Sequence, residues 1–216
     1  MDDGQLKELF GEVPYWADQV IEKHQPLPED AREFITTSYW SGKASVNLQD
    51  VCGTMHPDYA GLTWREFLDK GRRMAGNLAD FKRNPAYYTD ESIQRLPSMH
   101  FHRLDGKTFV TEDGNHRTCI GRFYLYGLHG HDCPYIHRVT LTDEVLDWEF
   151  VALYRHLLDK APIDWRITPG REVIRREDGP GWKRDFFTTV LKISVAGGPE
   201  HICDKAEIKA EIFSRV

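Results

Sequence analysis

The segment Val110-Thr111-Glu112-Asp113-Gly114-Asn115-His116-Arg117-Thr118 decides how the rest of the chain is read. Its first residues favour extended backbone, and the Asp-Gly pair then breaks that run. From Asn115 onward, Cys119, Ile120, Phe123 and Tyr126 or Gly127 recur along one side of a helix. The helix is expected over Asn115 to Tyr126, with Gly127 as its C-terminal cap. Upstream, Met99 to Leu104 and Lys107 to Glu112 flank Asp105-Gly106, the two-residue link of a β-hairpin. Downstream, Tyr135 to Leu141 reads as another strand. Residues 98–140 thus predict hairpin, helix and strand in succession.

A strand that turns through Gly114 into a helix leaves unpaired N–H groups at the helix start. Those donors and the positive end of the helix dipole attract anions. Gly114 permits positive φ and close approach of a ligand. Arg117, in the first turn, adds a planar, charge-assisted contact suited to phosphate oxygens. Asn115, His116 and Thr118 add neutral donors. The plainer reading of Gly-x-x-Arg is a tight turn with a surface arginine. The strand before it and the helix after it favour a phosphate site.

The chain has 216 residues and a formal net charge of -6, with six Trp, nine Tyr and eleven Phe. That is enough apolar material for a real core and argues against global disorder. The acidic balance weighs against a dedicated non-specific nucleic-acid binder, so any such contact needs a local basic patch. Cys52, Cys119, Cys133 and Cys203 are widely spaced with no CxxC pair, so reduced thiols in a cytoplasmic setting are expected rather than a zinc site or disulfide scaffold. The N-terminus lacks the basic and apolar regions of a signal peptide, and no apolar run reaches membrane-spanning length.

Residues 1–42 read as a helical extension of short helices broken by Pro14, Pro26 and Pro28, with Phe34, Ile35 and Tyr39 on one small apolar face. Residues 43–216 form the main domain, with Lys43 to Leu48 a candidate strand. Thr63-Trp64-Arg65-Glu66 is a capping box, followed by an apolar stripe from Trp64 to Phe81 that predicts one amphipathic helix ending near Asn84-Pro85. The opposite face carries Arg65, Lys70, Arg72, Arg73, Lys82 and Arg83. It reads as solvated surface, or as a contact for nucleic acid or an acidic partner, with Arg65, Arg72 and Arg73 the candidates for DNA. Thr142 is placed as the cap of a helix from Asp143 to Lys160, Pro169-Gly170 as a loop and Phe186 to Val195 as a strand. Gly197-Gly198-Pro199 reads as a turn, and Ala206 to Phe213 as helix or edge strand. The fold class is α+β.

The stretch from Val110 to Thr118 resembles the signature box of the ParB/sulfiredoxin superfamily: a strand, Asp-Gly-x-His-Arg, then a helix. The match covers about residues 98–140. It implies a small mixed β-sheet flanked by helices that binds nucleotide phosphates at the box, here with additional N-terminal helices. On that basis Gly114, Asn115, His116, Arg117 and Thr118 would hold the phosphates of ATP or another nucleoside triphosphate, with Mg²⁺ arriving on the nucleotide. Glu112, Asp113, His116 and Arg117 are the candidate catalytic residues. Asn115 stands where sulfiredoxin has its reactive Cys, so sulfiredoxin chemistry is not expected. No helix-turn-helix counterpart of the chromosome-partitioning members is visible, and no Walker motif occurs. Size and the flanking Trp- and Tyr-rich segments are most similar to plasmid fertility inhibition factors. That likeness implies possible ATPase and DNase activity, a type IV secretion coupling protein as partner, and blocked DNA transfer. The alternatives are a non-catalytic interaction module, or a nuclease or small-molecule kinase of the same superfamily.

Three further features stand outside the box. His100 and His102 alternate onto one strand face near a loop holding His129, His131 and Asp132, as metal ligands or as hydrogen-bonded histidines. Cys119 and Cys133 are candidate thiol nucleophiles. Arg171 to Arg184 gathers Arg171, Arg175, Arg176, Lys183 and Arg184 around glycines and a Trp, either as a surface loop or as a grip on single-stranded nucleic acid.

Overall fold

The computed structural model describes residues 1–130, 132, 134–196 and 198–214, with side chains described up to residue 210. The chain is α+β and divides by contacts into two compact units. One comprises Met1–Gln25 and Trp40–Thr142, the other Pro26–Tyr39 and Asp143–Val216. Gly197, His131 and Cys133 lie outside the described residues, so the turn at Gly197, the His131 part of the histidine reading and the Cys133 nucleophile cannot be placed.

The first unit begins with α1 (Asp3–Phe10), whose start is fixed by a capping box between Asp2 and Gln5. Strand β1 (Glu22–Lys23), part of β2 (Ile35–Asn47) and β3 (Val51–Thr54) follow. Helices α2 (Trp64–Lys70), α3 (Met74–Arg83) and α4 (Ala86–Thr89) lead to β4 (His100–Leu104) and β5 (Lys107–Val110), then α5 (Asn115–His129) and part of β6 (Tyr135–Leu146). Its sheet runs β1-β3-β5-β4-β6-β2. β1 and β5 lie parallel to β3, and β4 pairs antiparallel with β5. The sheet is therefore mixed. Asp105 (φ 47°) and Gly106 (φ 85°) both adopt positive φ, the geometry of the hairpin turn that Asp-Gly favours.

Helix α5 is the hub of this core. Cys119, Ile120, Phe123 and Leu125 are buried on it. Phe123 packs against Phe10 and Trp16 at centroid distances of 5.6 and 4.9 Å. Each such buried side chain is worth roughly 1.5–3 kcal/mol of apolar transfer. Arg122 lies almost fully buried between the rings of Trp16 and Trp64, 4.3 and 4.1 Å from their centres, and donates to the carbonyl of Val51. Burial pushes its guanidinium down to about 10. Gly127 is where α1 crosses: a Cβ there would overlap the Phe10 carbonyl oxygen at 1.7 Å.

The second unit holds a 3₁₀ segment (Glu29–Phe34), the remaining parts of β2 and β6, and α6 (Trp148–Lys160). It continues with β7 (Trp165–Gly179), β8 (Trp182–Val195), β9 (His201–Cys203) and α7 (Lys205–Ser214). The strand order is β6-β2-β8-β7, with β9 also on β8. Phe34 packs against Phe150 and Tyr154 of α6 at 5.2 and 5.4 Å.

Several sequence expectations are corrected. Residues 35–42 are strand, not helix: Ile35-Thr36-Thr37 is a β-branched opening, and β2 extends the strand expected from Lys43 back to Ile35. The stripe from Trp64 to Phe81 is two helices, because Gly71 leaves the helix with ψ 128° and its N–H closes on Phe67 O. Gly127 is a packing glycine; α5 runs on to His129 and Gly130 caps it. β6 continues through Leu146, so Asp147 rather than Thr142 caps the next helix, accepting from Phe150 N–H at 2.9 Å. Pro169 and Gly170 sit within β7, the last strand in the order, where a missing N–H is tolerated. Arg171 to Arg184 is a paired hairpin rather than a loop. Of the two forms expected for residues 206–213, helix or edge strand, helix is the one present.

Candidate functional site

The strand–turn–helix junction forms as the sequence predicts. β5 ends at Val110, and Gly114 at φ 109°, ψ 3° turns the chain into α5. Its N–H donates to the Asp113 carboxylate at 2.6 Å, and its carbonyl accepts from Thr118 N–H at 2.7 Å to close the first turn. Any other residue at Gly114 is opposed twice. Positive φ penalises a side chain, and a Cβ would lie 2.9 Å from Met99 Cβ. No side chain caps the first turn of α5, in contrast to Asp2, Thr63 and Asp147 at α1, α2 and α6. The leading amides of this 15-residue helix therefore keep their anion-binding character.

The box residues divide by environment. Asn115 is buried, its Oδ1 accepting from Thr54 Oγ at 2.5 Å, while Thr54 Oγ accepts from His56 N–H at 2.9 Å. Thr118 is fully buried and its hydroxyl has no partner, so its side chain is part of the core rather than of a ligand surface. His116 is half-buried against Phe67 and Tyr59, with Nε2 3.4 Å from the Tyr59 hydroxyl. Tyr59 stacks on His56 at 4.1 Å. Burial lowers the His116 pKa, the positive fields of Arg73 and His56 lower it further, and Asp113 opposes them. His116 is thus biased toward the neutral form.

Arg117 is the most heavily engaged member. Its Nη1 donates to the Tyr87 hydroxyl at 2.8 Å and to Pro97 O at 2.6 Å. Its Nη2 reaches Ser98 O at 3.4 Å and pairs with Asp113 at 3.1 Å. The side chain is only 16% exposed. Glu112 points to solvent, 3.5 Å from His100 Nδ1. Of the two carboxylates proposed for catalysis, Asp113 is therefore paired and Glu112 exposed. Beside the junction lies a cleft of about 540 Å³ lined by Asn77, Phe81, Asn84, Tyr87, Asp113 and Arg117, among others. That volume falls within the range of small-molecule sites.

Sequence reasoning misses the wall of this cleft. Arg95 is fully buried and donates to the carbonyls of Ile93, His137, Tyr87 and Asp90, at 3.1, 2.6, 2.7 and 3.3 Å. It holds the segment that carries Tyr87 toward Arg117. In the sequence Arg95 sits in a polar stretch and reads as surface; three of its carbonyl partners are nearby in the chain, on a segment without a regular periodicity, and the fourth, His137, is brought to it by tertiary folding.

The other candidates come apart. His102 Nδ1 meets His24 Nε2 at 3.0 Å, and His129 ends α5. Among the described residues no group of three or more His, Cys, Asp or Glu could hold a metal ion. Cys119 is fully buried, and burial pushes its thiol far up, which removes it as a nucleophile. Arg65 is committed to Asp3 and Asp18 at 2.5 and 2.7 Å, so it is not free for DNA, whereas Arg72 and Arg73 are exposed. Among the described residues no helix is long and apolar enough to cross a membrane. No family model matches the chain, and none of the curated proteins or solved structures compared with it matches.

Proposed function

We propose that the Gly114–Arg117 turn binds the phosphates of a nucleotide, with the adjoining cleft taking the rest of the ligand. The observation that carries this reading is the uncapped N-terminus of α5, entered through a left-handed glycine and opening beside a cleft of about 540 Å³. The amides of Asn115, His116 and Arg117 are the donors. The Tyr87 ring and the Asn77 and Asn84 amides offer stacking and polar edges to a base, over a wall that includes the buried Phe81. Arg117 shapes the site by tying Asp113, Tyr87, Pro97 and Ser98 together. Mg²⁺ would enter on the nucleotide, carried by its phosphates.

The resemblance to plasmid fertility inhibition factors extends the proposal. The chain would act in bacterial cytoplasm on a type IV secretion coupling protein and block DNA transfer. A non-catalytic interaction protein on the same fold is the second reading, favoured by Asp113 being held by Arg117 and the Gly114 N–H rather than free to activate water.

The test is an amide-resolved NMR titration of the isotope-labelled protein with ATP, AMP and inorganic phosphate, each with Mg²⁺. The largest shifts are expected at Gly114 to Arg117 for all three ligands, with Tyr87 and Asn84 moving only for the nucleotides. Shifts confined to other regions, or none at millimolar ligand, overturn the site.

A further inference from the structure

The second unit carries basic charge that the whole chain does not. Between Trp165 and Val195 stand seven Lys and Arg against four Asp and Glu, within a chain of net charge -6. The register of β7 with β8 sorts these residues by face. Trp182, Arg184 and Phe186 alternate onto one side of β8, with Arg175 opposite Phe186 and Glu177 opposite Arg184. The Arg175 guanidinium lies 4.1 Å from the centre of the Phe186 ring, and that of Arg184 lies 5.2 Å from Tyr39 of β2. Tyr39 and Trp182 are 6.2 Å apart between ring centres. The three rings are half-buried and the two arginines exposed. Two carboxylates share the face: Glu177, 3.2 Å from Arg175, and Glu172, opposite Thr188. Arg166 and Lys192 extend the basic character toward the other end of the hairpin.

We propose that this face binds single-stranded nucleic acid, with bases stacking on Tyr39, Trp182 and Phe186 and phosphates held by Arg175 and Arg184. Every base has a π-face, so a row of rings grips an unpaired strand without regard to sequence. A duplex keeps its bases stacked internally and offers no such face. The guanidiniums rest on the rings by cation–π attraction and turn outward when a base takes their place, which brings charge to the backbone as the ring is covered. From Trp182 to Phe186 is four residues, about 13 Å of strand, room for the two or three stacked bases that sheet-borne aromatics accommodate. Local charge supplies the complementarity that the acidic whole lacks.

Fluorescence anisotropy with labelled oligothymidylate and oligouridylate of about 12 nucleotides, against a duplex of equal length, tests the proposal on the full chain. Phe186→Ala should weaken single-strand binding roughly 5- to 150-fold without changing its salt dependence, because no charge is lost. Phe186→Tyr should bind as the unsubstituted protein does. Arg184→Ala should lower the slope of log affinity against log salt by about 0.7. Whichever oligonucleotide binds more tightly names the strand as DNA or RNA. If circular dichroism shows Phe186→Ala unfolded, Phe186→Leu, which keeps apolar cover without a π-face, carries the same expectation. Unchanged affinity in the folded ring-removal variant, or duplex bound as tightly as single strand, overturns the proposal.

Discussion

Arg117 shows how one side chain can look like a ligand in sequence and behave as a clamp in three dimensions. The residue is legible: an arginine in the first turn after Asp-Gly is suited to anions. Its partners are not, because Tyr87 and Pro97 lie 30 and 20 residues away, and nothing local in either segment advertises the contact. Arg117→Ala strands two carbonyls, a phenol and the Asp113 carboxylate. The cost to unfolding free energy should be about 1.5–3 kcal/mol, the scale of charged hydrogen bonds, read from urea denaturation. Arg117→Lys should recover only part of it, since a point charge cannot reproduce the fork. A denaturation midpoint unchanged in Arg117→Ala would remove the clamp. Asn115 and Thr118 teach the same lesson, since their inward side chains are decided by the pitch of α5 against β3 and the core rather than by residue type.

At the scale of elements, what is readable is what is locally encoded. Asp105-Gly106 names its turn, and Thr63 with Glu66 names a helix start, both by hydrogen bonds closed within four residues. Thr63→Ala should therefore lower stability by about 1 kcal/mol through loss of that cap, measured by thermal melting, while Thr142→Ala should leave α6 unaffected because Asp147 caps it. An equal loss from both would contradict the assignment of the caps. Element ends are less readable where packing decides them. The apolar stripe continues across Gly71 although the helix does not: a Cβ there would crowd the Phe67 ring at 2.8 Å, and α3 restarts at Met74. Likewise Gly127 looks like a terminator but is small because α1 lies on it. Pro169-Gly170 looks like a loop, yet an edge strand accepts both residues.

For the molecule as a whole, stability should fall on the acid side. His24 is buried and its pKa is lowered, first by burial and then by His102 3.0 Å away; His116 is lowered for the reasons given above. With folded values below the unfolded value of 6.5, the unfolded chain takes up protons first as pH drops. Both histidines' contributions are intact above about 6.5 and are lost progressively as pH falls below it toward the folded values. Urea denaturation across this range should show the decline, and His24→Gln should flatten it. A curve from the unsubstituted protein that is level through this interval would contradict the linkage.

The interrupted order of the two units has a consequence for synthesis on the ribosome. Pro26–Tyr39 emerges early, but its unit is completed only by residues from Asp143 onward. At elongation rates of about 5–20 residues per second, the intervening stretch of roughly one hundred residues takes on the order of 5–20 s. Only at the end of that interval does the first unit have its whole complement of chain, and Phe34 then still lacks Phe150 and Tyr154, the rings that bury it. The nascent protein thus passes through a stage that is half finished and half sticky, and a holding chaperone would find its target in the short segment around Phe34 and Ile35.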